Sequence, residues 1–174
     1  MKLFSKKPKG IAADDIAEVE YLYITTESFR GSIDLLTDGF PADKHEKIAH
    51  EYKMLTLVAK VFAIDNFDKI NKNPEEKSAL YDSFFKQMTA GATEIYGITT
   101  DEFHNQFRER LKIYDEAWSG RSRNPFEAIG QAFCHLVDCP SAILCFQVAT
   151  RYMEFLTSTV STLKDLKAKH GAIL

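Results

Sequence analysis

The sequence predicts an all-α fold, a single-domain bundle of about six helices with mostly antiparallel neighbours. Three observations predict it. Apolar residues recur at intervals of three and four along almost the whole chain, the period of an α-helix. Capping residues stand where that period starts and stops. Glycine and proline are sparse, 8 and 5 in 174 residues, too few for a turn-rich β protein. A chain of this length suits one domain. It buries roughly 70% of its unfolded surface and needs neither disulfide nor metal to hold a core. The bundle is expected over residues 13–174, behind a flexible basic arm at residues 1–12 that carries Lys2, Lys6, Lys7 and Lys9.

The first helix is expected over about residues 15–38. Asp15 and Glu18 have capping-box spacing. Ile16, Val19, Tyr23, Thr26, Phe29, Ile33 and Leu36 form one stripe, and Gly39 with Pro41 stops it. The second starts around residues 41–43, with Ile48, Tyr52, Leu55, Ala59 and Phe62 inward, and frays between residues 64 and 71. The third opens at Asn73-Pro74-Glu75-Glu76: Asn caps, Pro takes the first helical position, and Glu76 reaches back. Leu80, Phe84, Met88, Gly91 and Ile95 face inward, and Gly97 ends it.

The fourth helix begins at Thr99, with Glu102 completing a capping box, and ends at Gly120. The fifth repeats the Asn-Pro-x-Glu start at Asn124 and runs to about residue 138. The sixth runs from about residue 140 to 169, with Cys145, Ala149, Tyr152, Leu156, Val160 and Leu163 inward. Lys164, Lys167 and Lys169 complement its C-terminal dipole.

Net charge is −3, with no clustered basic face, which argues against nucleic acid as an electrostatic partner. The longest uncharged run, residues 139–150, is far short of the ~20 residues that cross a bilayer. The basic start is followed by no apolar run of the secretory kind, and Lys2 stands where myristoylation needs glycine. Three cysteines is an odd count, so reduced thiols and a cytoplasmic location are expected.

All three cysteines lie in QAFCHLVDCPSAILCF, residues 131–146. The spacings of Cys134, Cys139 and Cys145 match no zinc knuckle and no Cys-x-x-Cys redox pair. Helical phase places Cys145 in a core stripe, Cys134 beside an apolar face and Cys139 at a cap. The expected role is therefore packing. A reversible Cys134–Cys139 disulfide, or a metal site completed by His135, is the minor alternative.

Other constellations fail on geometry. His45 and His50 are five apart, about 140° around a helix, so they cannot share a metal from one face. Asp101-Glu102-Phe103-His104 resembles half of a di-iron motif but has no second copy. Arg121 and Arg123, with Arg108 and Arg110 nearby, form at most a minor anion site. Phe103, Phe107, Tyr114 and Trp118 read as core, and alternatively as the lining of a cavity for an apolar ligand. Tyr21, Ile24, Phe85, Met153 and Phe155 fall off their stripes, and this extra apolar surface suits a partner groove or self-association.

No catalytic residue and no cofactor is expected. The leading expectation is a non-catalytic interaction module (adaptor, scaffold or regulator) that binds a protein partner or itself. A binder of a small apolar ligand comes second, and a metal or thiol enzyme last.

Overall fold

A computed structural model describes residues 10–68, 72–120 and 123–174, and for residues 20–22, 24 and 68 the backbone alone. Among these residues the chain is helical, with a single β-bridge as its only extended pairing. The seven α-helices are α1 (Ala13–Leu22), α2 (Glu27–Thr37), α3 (Ala42–Asp68), α4 (Pro74–Ala90), α5 (Thr100–Ser119), α6 (Pro125–Leu136) and α7 (Ala142–His170).

The expected count of six is corrected at the first helix. A short 3-10 turn, Tyr23–Thr25, splits it into α1 and α2. Thr26 causes the break. Its hydroxyl donates to the Tyr23 carbonyl at 2.7 Å and accepts the Phe29 N–H at 3.2 Å, so it caps α2 rather than continuing a stripe. The caps at Asn73, Thr99 and Asn124 stand where the sequence places them, with the Thr99–Glu102 capping box complete. After α4 the chain widens into one π-helical turn, Ala92–Tyr96, and Gly97 stops it at φ +68, a backbone angle that suits glycine.

α3 is the hub. Tyr52, Met54, Leu55, Leu57, Val58 and Ala59 are all fully buried, so both faces of the helix are covered. A helix apolar on every side needs neighbours on every side, and α2, α4, α5, α6 and α7 all pack on it. Burying a side chain such as Phe29, stacked on Tyr52 at 5.3 Å, contributes roughly 1.5–3 kcal/mol. α1 packs on α4, far along the chain, rather than only on its sequence neighbour.

The two ends of the described chain meet. The Ile11 N–H donates to the Ala172 carbonyl at 3.0 Å, and the Leu174 N–H to the Ile11 carbonyl at 2.9 Å. Residues 10–12, assigned by sequence to the arm, include this pairing; Lys2, Lys6, Lys7 and Lys9 lie outside the described residues. Glu76, buried in the first turn of α4, accepts from the Lys167 ammonium and from the Ile173 N–H at 3.4 Å. No described helix is long and apolar enough to cross a membrane.

Candidate functional site

The corner between α6 and α7 is built from local rules. The Asn124 side-chain oxygen accepts the Phe126 and Glu127 N–H groups and starts α6. Val137 caps its end, and Asp138 turns the chain in the left-handed region at φ +54. Pro140 follows, and the Ser141 hydroxyl accepts the Leu144 N–H to start α7. The two helices then touch at Gly130. A Cβ there would stand 2.2 Å from the Cys145 carbonyl oxygen, so only glycine permits this approach.

This contact corrects the placement of Cys145. The buried stripe of α7 is Leu144, Val148, Tyr152, Phe155, Leu156, Thr159 and Leu163; Tyr152, Leu156 and Leu163 are where the sequence places them, and the stripe departs from the expected one at its start. Phe155, read from sequence as off the stripe, is in the core. Cys145 turns toward α6, and its thiol interacts with that of Cys134. Cys134 donates to the Ser141 carbonyl at 3.6 Å and Cys145 to the Glu127 carbonyl at 3.8 Å.

Both thiols line a groove of about 800 Å³ between α6 and α7, with Phe146, Ala149 and Met153 on its α7 wall. Burial pushes both thiols above the ordinary range, which disfavours the reactive thiolate. His135 and Asp138 stand at the groove, both exposed. Cys139 is half-buried, and its N–H closes the turn on the Cys134 carbonyl at 3.0 Å. Among the described residues no group of three or more His, Cys, Asp or Glu side chains converges as a metal site.

α7 carries a second stripe away from its core stripe. Ile143, Phe146, Thr150, Met153, Thr157 and Val160 are alternately three and four apart, the spacing of a coiled-coil seam, and half-buried Val160 at its end also packs on the core. Ile143 is 69% exposed, Phe146 73% and Met153 41%, although burial is the norm for such large apolar side chains. The two threonines return their hydroxyls to their own helix: Thr150 to the Phe146 carbonyl at 2.9 Å, Thr157 to the Met153 carbonyl at 2.7 Å. With its hydrogen-bonding capacity turned inward, each threonine adds apolar surface to the seam. Leu35 of α2 and Phe146 flank a smaller hollow beside it.

The aromatic candidates of α5 fill the interior. Phe103 and Phe107 stack at 5.9 Å, Tyr114 is fully buried, and half-buried Trp118 meets Phe126 edge-on at 5.2 Å. None of the four lines the α6–α7 groove. Arg121 lies outside the described residues, and Arg123 is exposed. Arg110 is engaged elsewhere, on Glu51 of α3 at 2.7 Å, while the Tyr114 hydroxyl donates to the same carboxylate at 2.8 Å. His45 and His50 are half-buried on different partners, the Phe40 carbonyl and the Gln106 amide. His104 pairs with Thr89 at 2.8 Å.

The outer seam is the feature that sequence reasoning missed, although Met153 was noticed as off its stripe. The signal that finds it is the three-four alternation that starts at Ile143 and runs beside the core stripe. No protein-family model matches the chain, and no curated protein or solved structure matches it either.

Proposed function

We propose that the chain is a non-catalytic helical interaction module whose partner is a second copy of itself, paired through the outer seam of α7. The observation that carries this reading is the seam's own symmetry. About a point between Arg151 and Tyr152 its residues match in reverse: Ile143 with Val160, Phe146 with Thr157, Thr150 with Met153. Two antiparallel copies thereby set Phe146 against Thr157 and Met153 against Thr150, large beside small, the complementarity that close packing needs. A two-fold interface uses the same patch on both subunits, so a stripe that complements itself in reverse suits it.

α7 has 29 residues and is about 40 Å long, enough to present the whole seam to a partner helix. Covering it removes Ile143 and Phe146 from water, each contributing roughly 1.5–3 kcal/mol on full burial before the cost of association. An adaptor, scaffold or regulator that works as a dimer is the role that follows.

Sedimentation equilibrium over rising protein concentration tests the reading. The expected result is a mass that climbs to twice that of the chain, and a Phe146→Asp, Met153→Asp variant that keeps its helical spectrum but stays at the monomer mass. A wild-type chain that remains monomeric to its solubility limit overturns it.

A further inference from the structure

Tyr52 of α3 is fully buried, and its hydroxyl has no hydrogen-bond partner. Folded chains rarely leave such a group unpaired. The groups whose charge bears on it are Arg151 and Glu154 of α7 and the phenol of Tyr23. Those three, and Tyr52 itself, line one hollow of about 490 Å³. Tyr52 is thus part of this hollow's wall, with its unpaired hydroxyl buried in that wall.

The rest of the lining divides by chemistry. Tyr23 and Phe155 give it aromatic surface, their rings 6.0 Å apart and edge-on. Arg151 gives Nη1 to Glu154 at 2.9 Å, which leaves the remaining donors of its guanidinium fork for another acceptor. Lys60, 4% exposed, also lines the hollow, its ammonium 5.5 Å from the Tyr23 ring centre. Arg151 and Glu154 thus bring charge to the edge of the space. Few polar groups converging in a mostly apolar concavity is the pattern of a small-molecule site.

We propose that this hollow binds a small amphipathic carboxylate, its head held by the Tyr52 hydroxyl and the Arg151 guanidinium and its hydrocarbon laid against Tyr23 and Phe155. Burial pushes the Tyr52 phenol far above its ordinary range, so it stays protonated and donates. Arg151 supplies charge to the same head, and charge-assisted hydrogen bonds are the stronger kind. A neutral head of the same length forfeits that contribution. The site is separate from the α7 seam, and its occupation does not depend on dimerisation.

The test is titration of the full chain with octanoate and with octanamide, followed by calorimetry and by amide NMR shifts. Octanoate is expected to saturate, with shifts centred on Tyr52, Phe155 and Ser158. Octanamide is expected to bind at least about tenfold more weakly, the loss of a hydrogen bond to a charged group. Arg151→Gln is expected to weaken octanoate by a similar factor, and Tyr52→Phe by roughly fivefold. Tyr52→Phe removes only an unpaired hydroxyl, so it keeps the test readable if Arg151→Gln fails to fold. Equal binding of octanoate and octanamide overturns the carboxylate assignment. No saturable binding of octanoate short of its micellar concentration, or shifts that centre outside the hollow, overturns the site.

Discussion

Glu51 and Tyr52 are consecutive on α3, and each carries polar atoms into the interior. Their surroundings differ. The Glu51 carboxylate is closed by two partners from α5, the Arg110 guanidinium at 2.7 Å and the Tyr114 hydroxyl at 2.8 Å. Burial pushes the Glu51 carboxyl above its ordinary range, while Arg110 and Tyr114 pull it back. The Tyr52 hydroxyl has no partner and lies beside a hollow. A buried polar group whose partners all come from the fold is a structural device, whereas one left open at a cavity is poised for a ligand. Tyr152 supplies a control: its hydroxyl is also buried and unpaired, but it lines neither the groove nor the hollow.

The largest effect breaks the closed side. Glu51→Ala takes the buried counter-charge from Arg110, which keeps its exposed pairing with Glu109 at 2.9 Å, and strands the Tyr114 hydroxyl. It is expected to cost about 3 kcal/mol in chemical denaturation, the low end for a broken buried pair. A loss below about 1 kcal/mol means that water already screens the pair. Tyr114→Phe removes one hydrogen bond to that carboxylate and is expected to cost about 1.5–3 kcal/mol by the same measurement. The smallest effect sharpens the open side. Tyr52→Phe and Tyr152→Phe each delete a buried hydroxyl with no partner, so each is expected to leave stability unchanged or raise it by up to about 1 kcal/mol. Only Tyr52→Phe is expected to alter octanoate binding. A clear destabilisation by Tyr52→Phe means that its hydroxyl is paired after all, and the contrast with Glu51 fails.

Helix starts were legible because capping is local: Asn73, Thr99 and Asn124 bond within three residues of themselves. Thr26 obeys the same rule, but it also continues the apolar period of the first helix, and the two signals conflict there. The start of α7 was misread because both candidate stripes share Tyr152, Leu156 and Leu163, and a helix with two apolar faces has no single best stripe. Glu76 matches a capping pattern, yet its carboxylate also serves Lys167 and Ile173 from the far end of the chain. The Glu51 network was illegible for a related reason. Its partners lie 59 and 63 residues away, and no local pattern links them. The clue in the sequence was a carboxylate at the start of the apolar middle of α3, which obliges the fold to supply partners. The hollow at Tyr52 was illegible because an unpaired hydroxyl is defined by what the neighbouring elements fail to provide.

Gly130 works as a spacer of zero thickness. It lets the backbone of α6 rest on the Cys145 carbonyl, and so it sets how deep and how wide the neighbouring groove can be. The groove's calibre is thus encoded by a residue that does not line it. Each carbon added at this one position would wedge the helices apart and retune the fit of whatever lies along α7, without altering a single atom of the contact surface.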